Sequence, residues 1–361
     1  MMRLGDQGGH VNSRVIAQLA GVSQATVSRV LNNRTNVSPQ TRERVLQVIE
    51  ALNYTPNVLA RSLATRKTNT IGLVVANIKN PFFAEIVESI TNIAASQGMN
   101  IILCSTSQDH RLQRQHVRML IEHRVQGIIM TSVMLDDSYI RTLVPNGFPV
   151  VLVNRYLPGV PADSVVIDNY SGAYEATRHF IRLGHATVGY VRGVRNTSTN
   201  RDRERGYREA LNQAGIPVRR GWIFDGHYSW QGGYNAGLRF LRLRHRPTAM
   251  LCADDLTAIG FIDALYDRGL RVPDAVAVIG FDDVQEASYR PIGLTTVRQP
   301  VTAMAEAAMR LLLDRIGGYC GDPRQIVLPA ELVIRKSCGA NPLWYLARGE
   351  ETLVADAVPV N

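Results

Sequence analysis

Gly21-Val22-Ser23-Gln24-Ala25-Thr26-Val27-Ser28-Arg29-Val30-Leu31-Asn32 holds a turn and a helix in twelve residues. Glycine tolerates the backbone angles of a sharp turn, and Ser23 can accept a bond from the first free amides of the helix that follows. Val27, Val30 and Leu31 then fall at i, i+3, i+4 and share a buried face, which leaves Ala25, Ser28, Arg29 and Asn32 pointing outward. Upstream, Val15, Ile16 and Leu19 recur at helical spacing and predict a short first helix. Two short helices joined by a glycine turn, the second with a polar, arginine-bearing outer face, read as a helix-turn-helix. The second helix of that motif enters the DNA major groove. Taken alone, the pattern also fits any small helical hairpin.

The next residues narrow the choice. Ser38-Pro39 pairs a capping serine with a proline at the first helical position, where a missing N–H costs nothing. Val45, Val48, Ile49 and Leu52 give i, i+3, i+4, i+7, a third helix able to cover the first two. Thr55-Pro56 repeats the start signal and opens a fourth segment, Asn57 to Ala64. Charge agrees with this reading. Residues 1–67 carry nine basic side chains (Arg3, Arg14, Arg29, Arg34, Arg42, Arg44, Arg61, Arg66, Lys67) against Asp6, Glu43 and Glu50. This is a local net charge of +6 out of +9 for all 361 residues. Such clustering is the electrostatic footprint of a polyanion partner.

Ala20-Gly21-Val22-Ser23, Thr26-Val27-Ser28-Arg29-Val30-Leu31-Asn32, Val37-Ser38, Thr41-Arg42 and Leu52-Asn53-Tyr54-Thr55-Pro56-Asn57 through Ala60 and Leu63 together resemble the head of the LacI/GalR (lactose and galactose repressor) family. The chain departs from the family at the start of the first helix. There it has Asn12, Ser13 and Val15 in place of the usual threonine, apolar residue and aspartate. The resemblance implies a DNA interface made of Gln24, Ala25, Thr26, Ser28, Arg29 and Asn32 on the recognition helix, with Asn57, Ala60 and Leu63 on a hinge helix over about 55–64. Asn57–Ala64 is shorter than the ~12–15 residues an isolated helix needs in water, so it is expected to fold when two copies meet on DNA. Leu63 then wedges between base steps in the minor groove; the alternative is that it packs on Leu59 in an ordinary linker helix.

Beyond a basic linker at residues 64–70, the period changes. Ile71–Ala76 is a short run rich in branched residues, as in a strand buried on both faces. Phe82–Gln97 follows with helical spacing and stops at Gly98. The alternation continues through Ile101–Cys104, Arg111–His123, Gly127–Thr131, a helix near Asp137–Pro145, and Val150–Val153. It restarts after Asp168 and runs to Val276–Gly280. Strands alternating with helices imply parallel sheets covered on both faces, and two such halves predict two doubly wound lobes with a ligand at the carboxyl ends of the strands. The expected fold class is therefore α/β, a small all-α helix-turn-helix head plus a periplasmic-binding-protein-like body of two doubly wound parallel-sheet lobes.

The family resemblance extends through this body. Asn80-Pro81-Phe82-Phe83, Leu183-Gly184-His185, Gly280-Phe281-Asp282-Asp283 and Gln299-Pro300 are among the matching segments, which run from Asn12 to Gly339. It implies a head over 1–67 and a body over 68–339. The first lobe is expected to take about 68–167 plus 299–325, the second about 168–297 plus 326–339, and a tail follows over 340–361. It also implies effector contacts from Asn154, Arg203, Asp254 and Asp282, with Phe82 beside them. An arginine fork opposite carboxylates suits a ligand with several hydroxyls, and an aromatic face can stack on a sugar ring. Each residue has a plainer reading. Asp282 with Asp283 could shape a turn, Arg203 could belong to the Arg201–Arg205 charge run, and Phe82 could be core. Asp254 stands where the family often has asparagine.

Other chemistry lacks support. The chain has no G-x-x-x-x-G-K-[ST] loop, H-E-x-x-H, G-x-S-x-G or Rossmann G-x-G-x-x-G opening a helix, and its eight histidines are scattered. The four cysteines (Cys104, Cys252, Cys320, Cys338) show no metal spacing. No enzyme activity, cofactor or metal is expected. No apolar leader and no uncharged run near 18 residues occur, so the expectation is a cytoplasmic protein with no membrane partner. The composite reading is a dimeric, sequence-specific DNA-binding regulator, a repressor that binds a pseudo-palindromic operator and answers to a sugar-like small molecule. The alternative is a ligand-binding protein of the same body fold acting without DNA. Leu343, Trp344, Leu346 and Leu353 in the tail form no sustained heptad, so no tail-driven tetramer is expected.

Overall fold

The computed structural model describes residues 12–31, 35–52, 54 and 68–340. The chain divides into two units, residues 1–68 and 69–361. In the first unit Asn12 caps α1 (Ser13–Leu19) by accepting from the amides of Arg14 and Val15. Gly21 takes φ +63°, the left-handed region a side chain would resist. Ser23 Oγ then accepts from the Thr26 amide at 3.1 Å and opens α2 (Gln24–Leu31). Ser38 caps α3 (Pro39–Ala51), with proline in its first turn.

These helices close on a core of Ile16, Ala17, Ala20, Val27, Val30 and Val45. The buried stripe of α1 differs from the expected one, because Val15 is 37% and Leu19 57% exposed. Ala17 and Ala20 take their place, and small residues let α1 approach α2 more closely than a leucine would.

The second unit contains two sheets. In the first lobe β1 (Thr70–Val75), β2 (Asn100–Ser105), β3 (Ile128–Met130), β4 (Val150–Val153) and β5 (Asp163–Ile167) alternate with α4 (Pro81–Ser96), α5 (His110–Glu122) and α6 (Ser138–Leu143). The second lobe follows with α7 (Asn169–Arg182), β6 (Val188–Arg192), α8 (Ser198–Gln213), β7 (Ile223–Asp225), α9 (Trp230–Leu241), β8 (Ala249–Cys252), α10 (Asp255–Tyr266), β9 (Ala277–Asp282), α11 (Gln285–Ser288) and β10 (Thr295–Arg298). The chain then returns through α12 (Val301–Ile316) and β11 (Gln325–Leu328) before ending with β12 (Glu331–Val333). Strand order is β11-β5-β4-β3-β1-β2 in the first sheet and β12-β10-β9-β8-β6-β7 in the second. Pairing is parallel throughout except for β12, which runs antiparallel to β10.

Two expectations are corrected here. The strand Asp163–Ile167 had no place in the alternation read from the sequence. Gln325–Leu328 also pairs with it in register Gln325↔Ser164 to Leu328↔Ile167, so residues 326–328 belong to the first lobe and not the second. A single carboxylate explains both. Asp163, its side chain wholly buried, accepts from Arg315 Nη2 at 2.8 Å, Arg324 Nη2 at 3.1 Å and the Arg324 amide at 2.7 Å. Burial alone would raise its pKa, yet the bonds from Arg315 and Arg324 hold it below the ordinary range.

Candidate functional sites

On the recognition helix the buried face is Val27 and Val30, and Gln24, Ala25, Ser28 and Arg29 are exposed. Thr26 is half-buried, with its hydroxyl 2.9 Å from that of Ser23. An exposed polar face on a helix fixed by a capped turn can reach base edges without unfolding its support. The remaining expected DNA contacts, Asn32, Asn57, Ala60 and Leu63, lie outside the described residues.

In the second unit all five expected effector residues line one cavity: Phe82 from α4, Asn154 after β4, Arg203 on α8, Asp254 after β8 and Asp282 ending β9. Asn80, Phe83, Arg155, Thr199 and Tyr228 complete the lining. The positions follow from the fold, since strand ends of both lobes face one another there. Arg203 reaches the cavity because Gly206, one turn further on, lets α8 lie against α7; a Cβ there would stand 2.2 Å from the Tyr170 carbonyl oxygen.

Bonds across the cleft hold the lobes closed. Asn80 Nδ2 of the first lobe donates to Asp254 Oδ2 of the second at 2.9 Å. The Tyr156 amide donates to Ser198 Oγ at 3.0 Å, the Tyr156 hydroxyl to Asp202 Oδ2 at 2.9 Å, and the Leu135 amide to the Asn196 carbonyl at 3.0 Å. Asp254 therefore works as a strap as well as a lining group, and its other oxygen caps α10 by accepting from the Thr257 amide at 3.0 Å.

Arg203 is committed mainly within its own lobe. Its guanidinium lies 3.5 Å above the Phe281 ring, its Nε donates to Asn169 Oδ1 at 2.7 Å, and its Nη1 bonds the Ala253 carbonyl. Nη2 stands 3.7 Å from Asp282 Oδ1, which also accepts from Gln299 Nε2 at 2.5 Å. Burial raises the pKa of both Asp254 and Asp282, opposed by Arg203. The turn reading of Asp282 and Asp283 also has support, with φ at +120° and +61°.

Arg155 was not anticipated. It is 1% exposed, and its Nη1 meets the Ser132 and Val133 carbonyls at 3.4 Å. Its Nη2 meets Gln108 Oε1 at 3.5 Å, and its Nε has no partner. Asn80, Thr199 and Tyr228 were also missed. Asn80 stands inside a segment that carried the resemblance, while Tyr228 sits in a short turn that no pattern marks. Among the described residues no group of His, Cys, Asp and Glu is placed to hold a metal, and no helix is long and apolar enough to cross a membrane.

Comparison with known proteins agrees with both units. The profile of bacterial regulatory proteins of the lacI family matches residues 15–57, and that of the periplasmic binding protein-like domain matches residues 177–338. The HTH-type transcriptional repressor PurR of Mannheimia succiniciproducens is 36% identical over 324 residues, 89% of this chain and 97% of that one. PurR of Photobacterium profundum is 36% identical over 323 residues, with the same coverage. Among solved structures, a complex of the transcriptional regulator CelR with cellobiose is 32% identical at TM-score 0.69, covering 91% of this chain and 100% of that one. A lac repressor dimer bound to operator and the anti-inducer ONPF is 28% identical at TM-score 0.82, covering 91% and 99%. A capped helix-turn-helix, two parallel-sheet lobes around one cavity and similarity to repressors over 89–91% of the chain lead to one conclusion: the chain belongs to the lacI family of bacterial regulatory proteins.

Proposed function

We propose that the protein is a dimeric operator-binding repressor whose affinity for DNA is set by a small, hydroxylated molecule held between its lobes. Gln24, Ala25, Thr26, Ser28, Arg29 and Asn32 read the major groove, and Asn57, Ala60 and Leu63 engage the minor groove. Phe82, Asn154, Arg203, Asp254 and Asp282 hold the effector. The observation that carries the reading is the convergence of those five side chains, drawn from both lobes, on one cavity. A ligand bridging the lobes has differential affinity for their closed arrangement, and only such a difference can shift the equilibrium. Coupling then runs in both directions, effector altering operator affinity and operator altering effector affinity by the same factor.

The test uses full-length protein and an operator selected from random duplexes. Asp282→Ala is expected to bind that operator near the wild-type level and to lose the response to effector. Leu63→Ala is expected to do the reverse, weakening the operator complex while the body still binds effector. An Asp282 variant that folds, binds operator and responds at the wild-type effector concentration puts the effector site elsewhere. Failure to enrich any duplex removes the operator reading and leaves a ligand-binding protein that works without DNA.

A further inference from the structure

The cavity lining holds two buried polar atoms without partners, Asn154 Oδ1 and Arg155 Nε. They are opposite in kind, an acceptor that lacks a donor and a donor that lacks an acceptor. Arg155 is the larger anomaly. A guanidinium has five N–H donors in a fixed fork, and those of Arg155 reach only neutral oxygens at 3.4 and 3.5 Å, beyond the usual 2.7–3.2 Å of an N–H···O bond. Among the described residues no carboxylate forms an ion pair with it within 4.0 Å. Burial lowers its pKa to about 10, opposed by Tyr228 and assisted by Arg203, so it remains charged at neutral pH. An isolated buried charge is costly unless it is paired.

The two carboxylates of the cavity are engaged elsewhere. Asp254 is bound to Asn80 and the Thr257 amide, and Asp282 faces Arg203 and Gln299. Apart from the Tyr228 ring, whose centroid lies 5.9 Å from its guanidinium carbon, Arg155 is therefore the cavity charge left without an ion-pair partner.

We infer that the effector is a small hydroxylated carboxylic acid, its carboxylate seated on Arg155 and a hydroxyl donating to Asn154 Oδ1. The inference rests on the effector-site reading above and narrows its ligand class from sugar-like molecules to sugar acids. A carboxylate matches one planar fork and brings one negative charge for one positive charge. A phosphate dianion would bring more charge than this single uncommitted guanidinium offsets, beside two carboxylates.

Thermal unfolding of the full chain tests this with gluconate, glucuronate, glucose and glucose 6-phosphate as probes, on wild type, Arg155→Gln and Asp282→Ala. Without ligand, Arg155→Gln is expected to melt at or above the wild-type temperature, because it removes a buried charge and keeps an amide donor. A midpoint lower by several degrees would mean that the protein already compensates Arg155, and would overturn the proposal.

With ligand, one or both acids are expected to raise the wild-type midpoint and glucose is not. Arg155→Gln is expected to need about tenfold more acid for the same shift. Glucose acting equally on wild type and Arg155→Gln, but not on Asp282→Ala, overturns the anion inference and leaves the effector site standing. An acid acting equally on all three proteins removes the site itself. A stronger response to glucose 6-phosphate than to either acid overturns the carboxylate. If no probe shifts the midpoint, the comparison without ligand decides.

Discussion

Arg29 and Arg155 illustrate how differently two arginines can be used. Arg29 is exposed on the outward face of α2, beside Gln24 and Ala25 at its start. Its fork can meet a guanine edge, and the capped turn before the helix fixes where it points. Arg29→Ala is expected to cost ~1–3 kcal/mol on the selected operator and little on random duplex. Competition binding at fixed salt measures both, and equal losses would reduce Arg29 to a phosphate contact. Sequence made Arg29 legible because helical spacing separates an outward face from a buried one. Arg155 gave no such signal, as one of 40 basic residues in the chain and in a run, Asn154-Arg155-Tyr156, that carries no period. Its burial depends on Gln108, Ser132 and Val133, which lie 22 to 47 residues away. Asp254 was legible only in part, since its link to Asn80 joins residues 174 apart.

At the scale of elements, periodic helices and apolar strands such as β3, β4 and β8 were read well, and strands with polar or exposed positions were not. β5 was missed because it opens with Asp163 and Ser164, polar residues that are buried here. Two arginines more than 150 positions later supply the charge that makes Asp163 tolerable inside. Asp163→Asn is expected to destabilise the body by about 3 kcal/mol, the low end for breaking a buried pair, because Arg315 and Arg324 keep some access to water. Urea unfolding reads this, and a loss below about 1 kcal/mol would give the cluster only surface-pair strength. α7 carries a second titration. Burial, with Arg182 and His185 nearby, lowers the pKa of His179 from 6.5 to about 4. The unfolded chain binds this proton more readily, so the contribution is complete above about pH 6.5 and is lost as pH falls toward 4. Melting temperatures between pH 7 and 4 are expected to drop more steeply for wild type than for His179→Gln.

For the whole molecule, the sequence indicated two lobes and a head but misplaced one border. Apolar runs show that a strand exists, not which sheet it joins. Val327, 55% exposed, gave Gln325–Leu328 no mark of the lobe it completes. Assembly is the other question at this scale. The tail beyond Ala340 lies outside the described residues, and its apolar positions keep no heptad. Sedimentation is expected to show a dimer, unchanged when residues 341–361 are removed. A tetramer that falls to a dimer on that truncation would assign the tail an assembly role.

The interleaved path of the chain also sets an order of events during synthesis. The first sheet lacks its edge strand until residues 325–328 leave the ribosome, and the second lacks its own until residues 331–333 follow. Domains tend to fold as they emerge, N-terminal parts first, but neither lobe here can be finished that way. For most of translation the nascent chain must keep two incomplete sheets from pairing with anything else, an exposure that slow, non-local pairing prolongs. The helix-turn-helix, whose buried core closes between Ile16 and Val45, has all its residues long before either lobe does. A polypeptide stalled before residue 325 therefore carries a complete helix-turn-helix on an unfinished sensor.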